Sequence, residues 1–258
     1  MGRHEGAALA YDEAGQGDPP MVLVHGWGVG RWAMGALFER ARRRRRAVSV
    51  DLAGEARTVR AHADDVAATI AALGLERAVV VGHSLGGIVA LDVAARYGDR
   101  VSAVAVLEGL VLPPEDAVAG IRAVLGGLRS DRYREVVAGF MRHVAGSRLD
   151  PALSERIVGA AASHPRGALA AAMEDMLAFD GAAAAARVTC PLLYVGTGAP
   201  YCDLERLQAL CPQLETEELP GSGHYFPLEA PARLGAVLAR FVEASATRPS
   251  ARLTRQHA

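Results

Sequence analysis

Residues 78–97 read AVVVGHSLGGIVALDVAARY, and this stretch decides the fold. The apolar run AVVV predicts a strand that is buried on both faces, and IVALDVAARY predicts a helix that is closed by Gly98. Between them lies Gly82-His83-Ser84-Leu85-Gly86, whose glycines permit a sharp turn that lifts the Ser84 hydroxyl out of the sheet edge to a helix N-terminus. The pattern therefore predicts that Ser84 is a nucleophile. The alternative is a tight turn in which Ser84 only caps the helix.

Similar apolar runs flank this stretch on both sides. They comprise residues 21–25, 47–50 and 101–107, and a helical pattern over residues 58–73 lies among them. Farther along, the sequence predicts strands at residues 191–195 and 214–219 and helices at residues 203–210 and 231–244. Because strands alternate with helices, we predict an α/β fold with a parallel sheet that is covered on both faces.

The sequence pattern changes after Glu108. From about residue 113 to residue 186 the sequence is alanine-rich and helix-like, with interruptions at Gly126-Gly127, Gly146, Pro151 and Pro165. A helical insertion between two strands is best placed over the carboxyl ends of the strands, where open α/β sheets bind ligands. We therefore expect a core of residues 1–110 and 187–245, a helical cap of residues 111–186 and a disordered tail of residues 246–258.

The composition is that of a globular protein that folds without disulfides. The chain has 258 residues, of which 51% are hydrophobic and 22% charged, so it can bury a large core. Its formal net charge of −1 gives no reason to expect nucleic acid or an acidic membrane as a partner. The three cysteines lack metal-ligand spacing and are expected to be reduced thiols. No signal-peptide or membrane-span pattern is present in the sequence, so we expect a cytoplasmic protein.

All basic residues of the chain are arginines. The absence of lysine excludes Schiff-base chemistry, pyridoxal phosphate anchored on lysine and a P-loop lysine. Residues 42–46 form an unbroken run of five arginines. Because no aromatic residues are interleaved and a predicted strand follows directly, we interpret this run as a solvated helix end. The alternative is a phosphate-binding or nucleic-acid-binding segment.

A glycine-rich turn follows the first predicted strand. It reads His25-Gly26-Trp27-Gly28, and the glycines on both sides of Trp27 let its backbone N–H turn toward the carboxyl edge of the sheet. There it would form a two-donor oxyanion hole with the N–H of Leu85. The alternative is an ordinary glycine-rich turn. His25 itself is interpreted as a packed structural histidine.

A second glycine-rich segment, Gly221-Ser222-Gly223-His224, follows the last predicted strand. His224 would then lie on a flexible loop whose glycines let the imidazole swing toward Ser84. We predict that His224 is the general base that takes the Ser84 proton during attack and returns it to the leaving group.

In this order, HGWG, the DLAG turn after the next strand, GHSLGG and GSGH resemble the motifs of the α/β-hydrolase superfamily, from about residue 9 to residue 242. The resemblance implies a mostly parallel eight-stranded sheet flanked by helices, an inserted helical cap and a triad of serine, acid and histidine in that chain order. We expect no metal or organic cofactor. Esterases, lactonases, thioesterases, C–C hydrolases, acyltransferases and cofactor-free oxygenases share these motifs, so the resemblance does not by itself name the reaction.

The acid is the point at which the sequence departs from the superfamily pattern. Most members that it resembles carry an aspartate a few residues after the strand that corresponds to PLLYV, where this chain has Ala199. Glu108, at the end of VSAVAVL, is the favoured replacement, because some members, including certain dehalogenases and cofactor-free dioxygenases, place the acid there to orient the histidine. Asp203 is the second alternative, although its position suits a helix N-cap. A site without a functional acid is the third.

The favoured function is hydrolysis of a carboxylic ester, thioester or lactone of a small to medium apolar substrate. A serine nucleophile argues against haloalkane dehalogenase and epoxide hydrolase activity, which in this superfamily use a carboxylate at that position. The alternatives are a cofactor-free oxygenase or lyase, in which Ser84 only positions the substrate, and a non-catalytic ligand-binding protein. The expected partner is a small-molecule substrate, and the oligomeric state is open.

Leu169, Met173 and Met176 recur at helical spacing and are interpreted chiefly as packing between cap and sheet.

Overall fold

A computed structural model describes residues 7–52, 54, 57–199 and 201–247. The strands of these residues form one sheet in the order β1-β3-β2-β4-β5-β6-β7. They are β1 (Ala10–Ala14), β2 (Met21–Val24), β3 (Ala47–Asp51), β4 (Ala78–His83), β5 (Val101–Leu107), β6 (Leu192–Gly196) and β7 (Leu214–Glu218). Only β1 pairs antiparallel, with β3, and all other neighbours are parallel. The predicted α/β fold with a mostly parallel sheet is confirmed.

The sheet of the described residues has seven strands, whereas the resemblance implied eight. The count of eight is therefore not confirmed. The sequence pattern does not predict β1, because only Tyr11 of this edge strand is buried and the strand lacks an apolar run.

Helices flank the sheet on both faces. They are α1 (Gly35–Ala41), α2 (Val59–Ala72), α3 (Leu85–Arg96), α4 (Glu115–Leu128), α5 (Tyr133–Ala145), α6 (Pro151–Ala162), α7 (Arg166–Ala178), α8 (Gly181–Ala185), α9 (Leu204–Leu210), α10 (Phe226–Glu229) and α11 (Pro231–Thr247). Asp203 is the N-cap of α9, which confirms the interpretation of its position, and its side chain accepts a hydrogen bond from the first turn. Thr58, which the sequence pattern includes in the helix, is likewise the N-cap of α2.

The central strands are apolar throughout because both of their faces are covered. In β2, Val22 and Val24 pack with residues of α2 and α3, while Leu23 packs on the other face with residues of α1 and α11. A strand in this environment has no polar face, which is why it appears in the sequence as a continuous apolar run.

The parallel strands bring distant residues to one edge of the sheet. His25, Ser84, Glu108 and Thr197 each follow the carboxyl end of a parallel strand. The chain order reverses at β2, because β3 lies on one side of it and β4 on the other. Open α/β sheets bind their ligands at such a switch point.

Helices α4 to α8 are inserted between β5 and β6. As expected, Gly146 ends α5 with a φ of 71°, and Pro151 opens α6. The expected break at Gly126-Gly127 is wrong, because α4 continues through both glycines to Leu128. A Cβ at Gly127 would lie 2.8 Å from Cγ1 of Val136 on α5, so this glycine permits close helix packing instead of ending the helix.

The last helix is longer than the sequence predicts. α11 ends at Thr247 instead of residue 244, so the prediction of a disordered tail is wrong for residues 246 and 247. The remainder of that tail, residues 248–258, and Ala53 of the DLAG turn lie outside the described residues. Among the residues that are described, no helix has the length and apolar character needed to cross a bilayer.

Candidate active site

Ser84 stands at the sharp turn between β4 and α3. Its φ of 54° lies in the left-handed region, which is costly for a residue with a side chain and is concentrated at functional sites. The motif glycines make the turn possible. A Cβ at Gly82 would lie 1.9 Å from the carbonyl oxygen of Gly86, and a Cβ at Gly86 would lie 2.3 Å from that of Val24. Backbone contacts therefore require glycine at both positions.

The turn after β2 lies against Ser84. A Cβ at Gly26 would lie 3.2 Å from the Ser84 Cβ. The neighbouring Trp27 is buried, and its indole Nε1 donates a hydrogen bond to the carbonyl of Leu169 on α7 at 3.2 Å. The backbone hydrogen bonds of the described residues include none from the N–H of Trp27 or of Leu85. Leu85 directly follows Ser84 in the chain, and Trp27 lines the same cavity as Ser84.

His224 and Glu108 meet at the same edge of the sheet. The distance between His224 Nδ1 and Glu108 Oε2 is 2.8 Å. The Glu108 side chain is fully buried, and 11% of the His224 side chain is exposed. Because a carboxylate oxygen accepts, Nδ1 donates, and in the neutral imidazole Nε2 is left as the hydrogen-bond acceptor.

Glu108 is held by the segment from which the expected aspartate is missing. Its Oε1 accepts a hydrogen bond from the Thr197 backbone N–H at 2.9 Å and a second from the Thr197 hydroxyl. Its φ of 45° is also left-handed. Asp203 instead caps α9, accepting from the Arg206 N–H at 2.9 Å. The fold therefore brings Glu108, and not Asp203, to His224.

The loop that carries His224 is tied down at three points. His83 Nε2 donates to the carbonyl of His224 at 2.8 Å, and the two rings lie 4.7 Å apart. Glu229 accepts from the Gly223 N–H at 2.7 Å, and Arg148 donates to the Gly221 carbonyl at 2.5 Å. These bonds restrict a loop that its glycines would otherwise leave free.

A cavity of about 360 Å³ opens between this edge and the inserted helices. Ser84, His224 and Tyr201 belong to the polar part of its wall. The larger, apolar part includes Leu110, Ile121, Val124, Phe140, Met141, Val144, Met173 and Met176. Ser84 and His224 thus share one cavity, although the hydrogen bonds of the described residues include none between them; such bonds often tighten only when substrate binds.

Burial lowers the pKa of three histidines below the ordinary value of 6.5. For His25, burial outweighs the hydrogen bond to the Gly26 carbonyl, which acts in the opposite direction. For His62, burial and then the nearby Arg57 charge lower the pKa to about 4. For His83, burial and then the nearby His224 hold the pKa well below its usual range. All three are neutral in the folded protein at neutral pH, in agreement with a structural role for His25.

These pKa values predict that acid destabilises the protein. The unfolded chain binds more protons than the folded chain below about pH 6.5, so this stability is complete above that pH and is lost as the pH falls toward the folded pKa values. Each histidine adds a slope of up to about 1.4 kcal/mol per pH unit. Urea unfolding between about pH 7 and about pH 5 measures the slope. We expect a shallower slope in His62→Gln, and an unchanged slope in that variant would contradict the assignment.

Sequence reasoning overlooked two residues near His224. Thr197 carries no motif, yet it supplies two of the donors to Glu108. The Tyr201 ring lies 5.3 Å from the His224 ring, and burial, followed by the Glu108 charge, raises the pKa of its hydroxyl. No sequence signal marks either residue, because only the fold brings them close to His224.

Within the described part of the chain, no cluster of three or more His, Cys, Asp or Glu side chains is arranged to hold a metal ion.

Comparison with known families and proteins gives concordant results. A sequence profile described as "Alpha/beta hydrolase family" matches residues 21–237. The pimeloyl-[acyl-carrier protein] methyl ester esterase of Chromobacterium violaceum is 31% identical over 196 residues, which are 71% of this chain and 76% of that protein. The protein of the same name from Vibrio atlanticus is 37% identical over 97 residues, so the match spans only 37% of the length of that relative.

Solved structures show the same architecture. A thermophilic esterase from Thermogutta terrifontis superposes with a TM-score of 0.77 and 25% sequence identity. The superposition covers 92% of this chain and 93% of the esterase. The likeness therefore extends over the sheet and the inserted helices together.

Proposed function

Because the chain belongs to the alpha/beta hydrolase family, we propose that it is a serine hydrolase that cleaves a carboxylic ester, thioester or lactone of a small to medium apolar substrate. The observation that carries the proposal is the hydrogen bond between Glu108 and His224 at the wall of the cavity that contains Ser84. Ester hydrolysis is also the activity named for the curated relatives and for the Thermogutta structure.

In the proposed reaction, Ser84 Oγ attacks the substrate carbonyl while His224 Nε2 takes the hydroxyl proton. The tetrahedral intermediate collapses, and the leaving alcohol or thiol receives that proton from His224, which leaves the acyl group on Ser84. A water molecule then attacks the acyl-enzyme, again with His224 as base. Ser84 is regained when the carboxylic acid leaves.

Glu108 acts in this scheme through His224. Its hydrogen bond to Nδ1 keeps the proton of the neutral ring on that nitrogen, so that Nε2 faces the reaction as a base, and it stabilises the imidazolium that forms during attack. The two donors from Thr197 support the position of the Glu108 carboxylate.

The negative oxygen of the intermediate is assigned to the backbone N–H groups of Trp27 and Leu85. Leu85 begins α3, and the positive end of a helix dipole favours negative charge there. The indole bond to Leu169 and an edge contact with Phe140, with ring centroids 5.9 Å apart, support the position of Trp27. Loss of one oxyanion donor typically costs about 3 kcal/mol.

The cavity indicates the class of acyl group. We propose that α4 to α8 form the cap over the active site, since α4, α5 and α7 supply most of the apolar wall. No side chain of Asp, Glu, Lys or Arg belongs to the described lining, so an uncharged acyl portion fits best. A volume of about 360 Å³ is near the lower end of the range for ligand pockets, which favours short to medium chains.

A series of p-nitrophenyl esters of increasing acyl length tests this assignment. We expect kcat/KM to rise about fourfold per added methylene, because each buried methylene contributes about 0.8 kcal/mol, until the cavity is filled, and then to fall. Met173→Trp should move the optimum to shorter chains. Ala178→Trp, at an exposed position of the same helix, is the matched control and should keep the original optimum. The same optimum in both variants would place the acyl chain elsewhere.

His83 should affect turnover more than substrate binding, because its side-chain hydrogen bond is to the backbone of His224. We expect His83→Leu to lower kcat about 10- to 100-fold with little change in KM, the typical cost of a misplaced catalytic group. His83→Gln should recover part of the loss, since its amide NH₂ can donate to the His224 carbonyl. Steady-state kinetics and thermal unfolding of both variants separate positioning from stability. Equal kcat values in the two variants would contradict a role for this bond.

A further inference from the structure

A second groove carries most of the arginine run. It has a volume of about 300 Å³ and lies between the end of α1 and α11. Its wall includes Met21, Leu37 and Leu238 and the arginines Arg40, Arg43, Arg44 and Arg45. Met21 begins β2, so this arginine groove lies at the amino edge of the parallel sheet, whereas Ser84 follows the carboxyl edge. It is therefore separate from the candidate active site.

The positive charge in the arginine groove is largely uncompensated. Glu243 Oε1 lies 4.0 Å from Arg44 Nη1, and both side chains are 70% exposed. Among the residues that the structure describes, no carboxylate lies within 4.0 Å of the guanidinium groups of Arg40, Arg43 or Arg45. Four cationic side chains thus line one groove whose described lining includes no carboxylate, although the formal net charge of the whole chain is only −1.

Arg45 is the member of the run that a solvated helix end does not explain. It is 8% exposed, and burial lowers the pKa of its guanidinium. Its Nη1 donates to the Pro19 carbonyl at 3.3 Å, a long hydrogen bond to a neutral acceptor. The nearby Glu243 charge opposes this lowering of the pKa, and the Arg44 charge adds to it. Burying a charge without a hydrogen-bonded counter-charge is costly, and an anion in the groove would offset that cost.

The end of α1 does not need these side chains as caps. The carbonyls of Phe38, Arg40 and Ala41 already accept hydrogen bonds from the backbone N–H groups that follow them. Arg42 and Arg46, the remaining members of the run, are paired with Glu39 and Glu13. The interpretation of the run as a solvated helix end accounts for those two arginines and for the exposed Arg43 and Arg44, but it does not account for the buried Arg45.

We propose that the arginine groove binds a small phosphate-bearing anion. Guanidinium groups form strong, often bidentate hydrogen bonds with phosphate oxygens. The exposed Arg40 and Arg43 would contact the phosphate from the rim, and the buried Arg45 from within the groove. The apolar side chains of Met21, Leu37 and Leu238 would receive the uncharged part of the ligand.

Inorganic pyrophosphate is a suitable probe, because its two phosphoryl groups can contact more than one arginine. Added to the full chain at ionic strength matched with sodium chloride, it should raise the thermal unfolding midpoint in a saturable way, and calorimetry should give a defined stoichiometry. The double variant Arg40→Gln with Arg43→Gln should bind roughly tenfold more weakly or worse. Arg122→Gln, at an exposed position on α4, is the matched control and should bind like the unaltered chain.

Hydrolysis of p-nitrophenyl butyrate by the double variant should be unchanged, because the groove is remote from Ser84. The result of the pyrophosphate-binding test is therefore independent of the proposed esterase activity. Absence of saturable binding would overturn the proposal. So would equal pyrophosphate affinity in the double variant and in the unaltered chain.

Discussion

The Ser84→Ala variant is expected to lose roughly 10⁴- to 10⁶-fold in kcat for a p-nitrophenyl ester. The alanine keeps the Cβ and the backbone conformation of the turn, so the loss reflects the missing nucleophile and not a change of fold. In the proposed mechanism no acyl-enzyme forms without the hydroxyl, and only binding and the proposed oxyanion donors, the amide groups of Trp27 and Leu85, would remain to assist attack by water.

A fluorophosphonate probe provides a second measurement of the same residue. It should label the unaltered chain at Ser84, as seen by mass spectrometry of the labelled peptide, and should not label Ser84→Ala. Ser154→Ala, on α6, is the matched control and should keep both labelling and turnover. Undiminished turnover in Ser84→Ala would remove the acyl-enzyme mechanism. Oxygen consumption with an N-heteroaromatic substrate would then favour the cofactor-free oxygenase.

Glu108→Gln is expected to lower kcat by roughly 10²- to 10⁴-fold. The amide oxygen of the new side chain would accept the two bonds from Thr197, so its NH₂ group would face His224 Nδ1. That arrangement makes Nδ1 an acceptor and moves the ring proton to Nε2, where it prevents the histidine from accepting the Ser84 proton. The variant keeps the size of the buried side chain, and the loss is therefore chemical.

Asp203→Asn is the matched control for the position of the acid. Asparagine caps helices as well as aspartate does, so α9 should keep its start and activity should stay within a factor of about three. Kinetics of both variants with one ester, together with their circular dichroism, decide the assignment. A large loss in Asp203→Asn with near-normal turnover in Glu108→Gln would move the acid to Asp203.

The central fold was predictable because its signals are local. Strands that are buried on both faces must be apolar along their whole length, so β2, β4 and β5 stand out in the sequence as runs. β1 was not predicted because a single buried residue, Tyr11, does not produce a recognisable pattern in the sequence. The helix break predicted at Gly127 was wrong because a glycine that ends a helix and one that lets a neighbouring helix pack closely look the same in a sequence. Only the contact with Val136 distinguishes the two cases.

The candidate site also has a part that the local sequence predicts and a part that depends on the fold. The motif around Ser84 could be recognised from the sequence because its requirements are local. Gly82 and Gly86 must be glycines because a Cβ there would collide with the backbone of the turn or of the adjacent strand. The choice between Glu108 and Asp203 is not local. Glu108 is 116 residues from His224 in the chain, and the sequence alone left both acids open.

The sequence by itself therefore determined the alternation of strands and helices, the turn that presents Ser84 and the late glycine-rich loop with His224. Tertiary structure alone decided which carboxylate meets His224, which helices wall the cavity and which arginines face a shared groove. The physical reason is the range of the interactions. Backbone sterics and burial periodicity act within a few residues and are written in the order of the chain, whereas hydrogen bonds and charge compensation depend on distances that exist only after folding.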